Sequence, residues 1–454
     1  MKLVCIARVT TLALFTAMAV SSASAETLTS ALASAYVNNP SILAANLAAQ
    51  ASAENIVLAK SAIMPNVGLS AGVSNTSTLA GGAYTGSSSA NIGLSYSQTL
   101  FDNGRTSASI EAARAGAEAA IESARGAEAG VLLGAAQAYV DVAVNSRIVA
   151  LRQDTVDFLE AQVQAAKDRL SVGEGTSTEV AQAQAQLAQA LADQQGAAAD
   201  LAVSEANYVR FVGHAPSNLT FDFPFESKLP TSLQNALVLA EANHPDLQSA
   251  LAQVRSARAL AENAQAAFGP SVAVSGRVTD TYGFGTGASS GNAIQTSVGV
   301  SLSVPLYAGG GMGANARKTN LQLIQAEMTA QSTHDLIKAT LAQAWSSLRT
   351  SAATIAAVTA AETATQKVLD AVTEEFGVGQ KTQLDVLDAK SSLTTVQITK
   401  ISAESGRFMA ALSLLSAVGR MSATELGLPV EVRTPDAYRA KVEDIWQELR
   451  AVPN

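Results

Sequence analysis

The chain repeats itself at a nearly constant offset, and this duplication limits the folds that it can form. The matched segments lie 205 or 206 residues apart: Asn39-Pro40 and His244-Pro245, Pro65 and Pro270, 100–104 and 306–310, Val172-Gly173 and Val378-Gly379, and 211–213 and 417–419. A period this long is too large for a solenoid repeat. It predicts two copies of one structural unit, related by an approximate internal symmetry.

Residues 1–25 have the pattern of a secretory signal peptide. Lys2 and Arg8 provide the positive start, an apolar run follows, and a small-x-small site ends at Ala25. A membrane anchor is the alternative, but the run is shorter than the roughly 20 residues that span a bilayer. We predict cleavage between Ala25 and Glu26, so that the mature chain is secreted.

Cysteine content and charge exclude several classes of function. The one cysteine, Cys5, leaves with the signal, so the mature chain has no disulfide, no thiol ligand and no lipid-anchoring cysteine. The formal net charge of −9 becomes −11 without Lys2 and Arg8, which argues against a nucleic-acid partner. The histidines are scattered, and no nucleophile–base pair or phosphate loop is present. We predict no enzyme activity, no cofactor and no metal site.

Helical and strand-like patterns follow the same order in both repeats. In the first repeat, 26–213, the predicted helices cover 29–64, 105–171 and 177–212, and the predicted strands cover 66–75 and 91–100, with a loop over 76–90. In the second repeat, 233–419, the predicted helices cover 233–269, 311–377 and 383–418, and the predicted strands cover 271–280 and 294–304. Residues 214–232 connect the repeats, and residues 420–454 follow the second.

The four predicted strands are 10 or 11 residues long, which suits tilted transmembrane β-strands. Each has one apolar face, and its other face is mostly Ser, Gly, Gln and Thr, as expected of a wet lumen. Aromatic residues such as Phe101 and Tyr307 lie near the strand ends, as at a membrane interface. Ordinary hairpins on a soluble domain are the alternative.

The helix over 105–171 would extend for about 100 Å, which is too long to pack into a globular core. Its two shorter neighbours, laid end to end, match its length, so each repeat predicts two antiparallel columns. The helix over 383–418 has a coiled-coil seam spaced alternately by three and four. The seam residues are Leu384, Leu387, Ser391, Thr394, Ile398, Ile401, Ser405, Phe408, Leu412 and Leu415.

Four membrane strands cannot close by themselves, because their edges would leave unpaired N–H and C=O groups in lipid. Two copies give a barrel filled by its own side chains, whereas three copies give twelve strands and twelve helical columns. We therefore predict an α+β membrane protein. It would be a homotrimer with a 12-stranded transmembrane β-barrel, four strands per chain, continued by a 12-helix α-barrel.

These features make the chain resemble the TolC-like outer-membrane efflux and secretion channels. The resemblance covers nearly the whole mature chain and rests on the duplication, the break at 38–40, the junctions 100–104 and 305–310, and the turn 376–382 with the following 385–389. It implies a duct in the outer membrane of a Gram-negative bacterium that extends into the periplasm. A periplasmic adaptor (membrane fusion) protein and an inner-membrane transporter would dock at its inner end, and 214–232 and 420–454 would form a belt.

The helical turns after residues 171 and 377 would carry the function. Asp385 and Asp388 are three apart and share a helix face, so three chains would place six carboxylates around one constriction. Such a ring favours cations and can hold a divalent blocker. A solvated acidic face is the alternative. The resemblance implies that these aspartates narrow a closed periplasmic gate.

The resemblance also implies a lock in which Lys381 and Phe376 face Thr178 and Glu179 of a neighbouring coil. The family's better-known members have arginine and tyrosine at the first two positions. Lysine cannot make the forked contact of arginine with a carboxylate, and phenylalanine cannot donate a hydrogen bond. The lock should therefore be weaker here.

Val172-Gly173 and Val378-Gly379 lie at the turns themselves. Glycine permits the tight turn, and the resemblance implies in addition that these tips meet the adaptor's helical hairpin. The predicted function is a passive exit duct of a tripartite efflux or type I secretion system, gated at the periplasmic tip. The alternative is a secreted coiled-coil stalk or surface protein without channel activity, which leaves the two matched hairpins unexplained.

Overall fold

The computed structural model describes residues 26–284 and 291–443. The predicted signal segment with Ala25 lies outside the described residues, and so do 285–290 and 444–454. The helices are α1 Leu28–Asn38, α2 Pro40–Ser61, α3 Arg105–Ser171, α4 Ser177–Val212, α5 Leu233–Asn243, α6 Pro245–Ala266, α7 Gly311–Gly377, α8 Gln383–Ala417, α9 Ala423–Leu426 and α10 Pro435–Val442. The strands are β1 Asn66–Ala80, β2 Ala83–Phe101, β3 Ser271–Phe284 and β4 Asn292–Ser303.

The break predicted at 38–40 divides 29–64 into α1 and α2, and a second break, which was not predicted, divides 233–269 into α5 and α6. Pro40 and Pro245 disfavour the helical conformation of the residue before them, and both preceding residues are extended, with ψ of 120°. Helices α2 and α6 also end three residues earlier than predicted, at Ser61 and Ala266. The prolines at 65 and 270 likewise restrict the residues that precede them.

The predicted loop over 76–90 is wrong, because β1 and β2 continue until they meet at a two-residue turn. Gly81 and Gly82 have φ of 60° and 82°, the left-handed values that a tight hairpin turn requires. The Ser/Thr-rich flanks pair across the hairpin, and the hydroxyls of Ser74 and Ser89 lie 2.9 Å apart. In the second repeat β3 likewise extends beyond residue 280, to Phe284.

Strand β4 runs over Asn292–Ser303, two residues earlier at its start and one residue earlier at its end than predicted. Its early start continues the pairing with β3, where Tyr282 lies opposite Asn292. Its end precedes Pro305, which has no N–H for a ladder hydrogen bond. Both hairpins are therefore longer than their apolar pattern indicated.

The four strands form one antiparallel sheet in the order β1-β2-β3-β4. Leu69 pairs with Leu94, and Leu94 pairs with Val278, so these apolar side chains share one face. One residue along β2, Gly93 lies opposite Ser70 on β1 and opposite Thr279 on β3. The side chains at these positions lie on the other face of the sheet. The sheet thus has an apolar face, on which Leu69 is 74% exposed, and a polar face. This is the alternation of a membrane barrel wall.

Helix α3 is the central column of the helical wall. It packs against α2 and α6 in the half near the sheet and against α4 and α8 in the far half, and α7 packs on α6 and α8. By composition alone α2 and α3 are apolar enough to span a membrane, but half of the relevant window of α3 is buried inside the protein. Both helices are parts of the wall.

The largest core lies at the middle of α3, where Leu132 and Tyr139 are fully buried. Helices α1 and α4, the connector around Phe225 and the segment from Met421 to Leu428 all contribute to this core. The connector around Phe225 and residues 421–428 therefore pack on α3 at mid-height, and we call this region the equatorial belt.

The predicted seam of α8 is buried for six of its ten residues. Leu387, Thr394, Ile401, Phe408, Leu412 and Leu415 are buried, whereas Leu384 and Ser391 are exposed. Val386 and Leu393, outside the predicted seam, are buried instead. The reason is that α8 packs against both α7 and α3, so its buried face is broader than a two-helix seam.

Candidate functional site

The turns α3–α4 and α7–α8 form the helical tip, which lies about 100 Å along α3 from the sheet. Both turns close in the same way. The N–H of Glu174 donates to the carbonyl of Arg169 at 2.9 Å, and the N–H of Gln380 donates to the carbonyl of Glu375 at 2.8 Å. This is the six-to-one hydrogen bond that ends a helix at a left-handed glycine.

Gly173 and Gly379 supply the left-handed residue, with φ of 81° and 78°. A Cβ atom at either position would meet nothing within 4 Å. The preceding Val172 and Val378 are 69% and 72% exposed. The predicted docking residues therefore project from the end of the wall and are accessible in this chain.

Asp385 has a local structural role that the sequence argument did not assign. The N–H of Thr382 donates to its carboxylate at 2.8 Å, and its own N–H donates to the Thr382 hydroxyl oxygen at 3.3 Å. This reciprocal pair is a capping box at the start of α8. The backbone hydrogen bond from Thr382, with help from its hydroxyl and from the nearby Lys381 charge, lowers the pKa of the Asp385 carboxyl. Asp385 is thus held ionised.

Glu179 occupies the same position at the start of α4. Its N–H donates to the Thr176 hydroxyl oxygen at 3.2 Å, and its carboxylate accepts from the Thr176 N–H at 3.4 Å. The two acidic residues are therefore equivalent in local structure as well as in sequence. Thr178, the remaining lock residue of this turn, is exposed.

Asp388 and Lys381 are both exposed. Within the described part of this chain, neither forms a hydrogen bond or an ion pair, and the ring of Phe376 contacts Arg169 of the same chain. The lock was predicted between neighbouring coils, so it remains a prediction about contacts beyond one chain.

A clamp that sequence reasoning missed joins the two turns within the chain. The Arg169 guanidinium donates from Nη2 to Oε1 of Gln383 at 2.7 Å and lies 4.8 Å from the ring centre of Phe376. Gln383 is only 3% exposed, and its Nε2 donates to the carbonyl oxygen of Gln162 at 3.1 Å. Helix α3 thus holds the α7–α8 turn through one charged and one amide side chain. We call Arg169, Gln383 and Phe376 the tip clamp.

A difference between the repeats was the available signal for this clamp. The position equivalent to Arg169 in the second repeat is Glu375, and the position equivalent to Gln383 in the first repeat is Ser177. Only one of the two turns can therefore form the contact.

Above the clamp, α3 and α8 are sealed by a buried polar pair and by apolar packing. The hydroxyls of Thr155 and Thr394 lie 3.1 Å apart and are buried. Phe158 packs against the apolar clusters on both sides of this contact, and the Lys390 ammonium lies 5.3 Å from its ring centre. Among the described residues, no group of three or more His, Cys, Asp or Glu side chains could hold a metal ion.

The family model of the outer membrane efflux protein matches residues 31–214 and 236–420, one match in each repeat. The chain is 36% identical over 427 residues to the outer membrane efflux protein BepC of Brucella suis, covering 94% of this chain and 92% of the relative. It is 26% identical to the outer membrane protein TolC of Vibrio cholerae, covering 88% of this chain and 92% of the relative.

Solved structures have the same fold. The Campylobacter jejuni CmeC outer membrane channel superposes with a TM-score of 0.77 at 17% identity, covering 86% of this chain and 85% of that chain. The open state of the Neisseria gonorrhoeae MtrE outer membrane channel superposes with a TM-score of 0.71 at 23% identity, covering 86% of this chain and 88% of that chain.

Proposed function

The chain belongs to the outer membrane efflux protein family, and we propose that three copies form the exit duct of a tripartite efflux or type I secretion system. The duct would receive substrates from an inner-membrane transporter and conduct them passively across the periplasm and the outer membrane. It would be gated at the helical tip.

The observation that carries this proposal is that the wall of one chain has two open edges. Within residues 26–284 and 291–443, strands β1 and β4 each pair with one neighbour only, which leaves a row of backbone N–H and C=O groups on either side of the sheet. Unpaired groups of this kind cost several kcal/mol each in lipid. A head-to-tail arrangement, in which β4 of one chain pairs with β1 of the next, satisfies both edges in a closed ring.

The helical wall supports the same arrangement. Helix α7 lies at one edge of the wall, and α2 and α4 lie at the other. Leu321 and Met328 on α7 are 67% and 61% exposed, and Leu43 on α2 is 51% exposed. These apolar residues would be covered when α7 of one chain packs against α2 and α4 of the next. A homotrimer gives twelve strands, enough for a pore rather than a barrel filled by side chains.

The apolar face of the sheet would contact outer-membrane lipid. Val298 and Val300 on β4 are 80% and 71% exposed in the single chain, although both are large apolar side chains. Burying each in hydrocarbon is favourable by about 1.5–3 kcal/mol. The polar face would then line the lumen.

At the helical tip, the three α7–α8 turns would converge and place Asp385 and Asp388 around the narrowest point. A ring of carboxylates favours cations. Lys381 and Phe376 would approach Thr178 and Glu179 of the neighbouring coil, and the tip clamp would hold each α7–α8 turn against its own α3. Opening would require the turn to leave α3.

The exposed turns are also the docking sites that we assign to the periplasmic adaptor. Val172, Gly173, Val378 and Gly379 lie at the extreme end of the wall and have open space around them. A helical hairpin of the adaptor would pack between these turns.

The mass of the protein extracted from outer membranes into detergent tests the assembly. Native mass spectrometry should give three copies of the mature chain, and planar bilayers that contain this species should show ion-conducting pores. A monodisperse monomer, or a trimer that is folded but forms no pore, would contradict the proposal.

A further inference from the structure

Glu26, the predicted first residue of the mature chain, has a buried carboxylate that the duct function does not use. The hydroxyl of Tyr208 donates to its Oε1 at 2.6 Å. The N–H and the hydroxyl of Ser217 donate to its Oε2 at 3.3 and 3.4 Å. The Nε2 of His214 lies 3.5 Å from Oε1. These groups belong to α4 and to the start of the connector in the equatorial belt.

The backbone of Glu26 is bound as completely as its side chain. Its nitrogen lies 3.3 Å from the carbonyl oxygen of Ser217 and 3.2 Å from that of Asn218. Its carbonyl oxygen accepts from the hydroxyl of Tyr139 at 2.8 Å and from the N–H of Thr220 at 3.2 Å. Every polar group of this one residue therefore has a partner in the belt or in the columns behind it.

The carboxylate of Glu26 lies on a buried aromatic floor. Glu26 is 9% exposed, and the rings of Tyr139 and Tyr208, which are both fully buried, lie 6.4 Å apart behind it. Burying a carboxylate is costly unless it is hydrogen-bonded and close to positive charge. His214 contacts the carboxylate only from a partly exposed position. A second positive group beside the carboxylate would complete the site.

We propose that this site captures the α-ammonium group that signal cleavage creates on Glu26. A signal peptidase would hydrolyse the Ala25–Glu26 bond, so that water supplies the hydroxyl of the new Ala25 carboxyl group and a proton to the Glu26 nitrogen. A second proton from solvent then gives the ammonium.

The positions of the two carbonyl oxygens favour the ammonium over the uncut peptide. A peptide nitrogen has one hydrogen to share between Ser217 and Asn218, whereas an ammonium can donate a separate hydrogen to each. The ammonium also adds its positive charge to the site of the buried carboxylate. Backbone capture of an N-terminal amine is a known mode of recognition.

The consequence is that the connector recognises the processed chain. Ser217, Asn218 and Thr220 all lie in the segment that joins the two repeats, and each contacts Glu26 through its backbone. This segment should therefore dock more strongly on the mature chain than on the precursor. Closure of the equatorial belt would then follow removal of the signal.

The reactivity of the N-terminal amine tests this site directly. The mature protein is extracted from outer membranes and briefly acylated with acetic anhydride near neutral pH, either folded or in denaturant. Mass spectrometry of the N-terminal peptide then gives the acylation rate of Glu26. The chain should begin at Glu26, and its amine should react at least about tenfold more slowly in the folded protein.

Two variants separate capture from simple burial. Tyr208→Phe keeps the buried ring and removes the hydrogen bond to the carboxylate, and Glu26→Ala removes the carboxylate and leaves a free N-terminal amine. Each should speed acylation of the folded protein by about tenfold, the change expected for one charge-assisted hydrogen bond. Tyr438→Phe is the matched control, because it removes another tyrosine–glutamate hydrogen bond, of 2.7 Å to Glu54, and should leave the rate unchanged.

Three results would overturn the proposal. The first is a mature chain that begins at a residue other than Glu26. The second is a Glu26 amine that reacts as fast in the folded protein as in denaturant. The third is an acylation rate that is unchanged in Tyr208→Phe and in Glu26→Ala, or, where only one of these variants folds, unchanged in that one.

Discussion

The guanidinium of Arg169 lies 4.8 Å from the ring centre of Phe376, so a residue of the first repeat holds the last turn of a helix in the second. The same guanidinium donates to Gln383, on the other side of the turn. The α7–α8 turn is therefore tied to α3 at both of its ends. This contact lies within a single chain, and it would have to break if the turn moved outward.

Arg169→Ala should open the tip. Loss of the contact with Phe376 removes about 1 kcal/mol, and loss of the hydrogen bond to Gln383 removes about as much again. The two losses together are about 2 kcal/mol, so the fraction of open channels should rise roughly thirtyfold in planar-bilayer recordings. Arg152→Ala is the matched control, because Arg152 pairs at 3.0 Å with Asp193 within one repeat. Equal open fractions in the two variants would contradict the role of the clamp.

Lys381→Glu should weaken the lock between chains. Lys381 is exposed, and the reversed charge would face Glu179 of the neighbouring coil with like sign. Exposed pairs contribute about 0.2–1 kcal/mol, so leakage of a large antibiotic that the intact outer membrane excludes should rise by up to roughly fivefold. Lys367→Glu makes the same charge change higher on α7 and should have no effect. Unchanged leakage and conductance in Lys381→Glu would count against the lock.

Gly379→Trp should abolish export without removing the channel from the membrane. The bulky side chain would occupy the exposed turn at which we place the adaptor. Gly310→Trp is the control for backbone strain, since Gly310 has φ of 80° and equally open surroundings but lies at the other end of α7. Export is measured as dye efflux from cells with matched amounts of outer-membrane protein. Full efflux by Gly379→Trp would remove the docking role.

The acid sensitivity of the second repeat should depend on His244. Its Nδ1 accepts from the N–H of Asp246 at 3.3 Å, which requires the neutral ring. Burial lowers the pKa of His244, against the opposing effect of Asp246. Because the pKa is lowered on folding, the cap contributes its full stability above the pKa of the unfolded chain, about 6.5. That stability is lost as the pH falls through the pKa of His244 in the folded chain.

His244→Asn tests this dependence, because Asn39 makes the equivalent cap in the first repeat, accepting from Ser41 at 2.9 Å. As the pH falls from 7.5 to 5, the native chain should lose stability that the variant keeps, because asparagine does not titrate. Thermal unfolding at pH 7.5 and pH 5 measures the difference. A native chain and a variant that lose stability equally on acidification would show that the cap is not the cause.

The family, the α+β fold class and the role of an outer-membrane efflux channel were predictable from the sequence, and the family match confirms them. The stalk alternative is therefore wrong. The duplication made this prediction possible, because it places short motifs that are weak individually at equivalent positions in both repeats. Assignment of the gate residues and of the belt segments remains a prediction.

What the sequence did not predict depends on contacts between distant residues. The Ser/Thr-rich flanks of Gly81-Gly82 looked like a loop, because their apolar alternation is weak and pairing with a neighbouring strand decides their conformation. The tip clamp joins residues 207 positions apart, Arg169 and Phe376, and appears only once α3 and α8 pack together. The capping box of Asp385 does have a local sequence signal, because Thr382 stands three residues before it.

The most direct test of a duct gated at its tip is single-channel conductance in planar bilayers, for the mature protein and for Asp385→Ala/Asp388→Ala. The native protein should show small, cation-selective openings, and the double variant should show larger openings with reduced selectivity for cations. Identical conductance and selectivity in the two proteins, both shown to be folded trimers, would contradict the placement of the gate at these carboxylates.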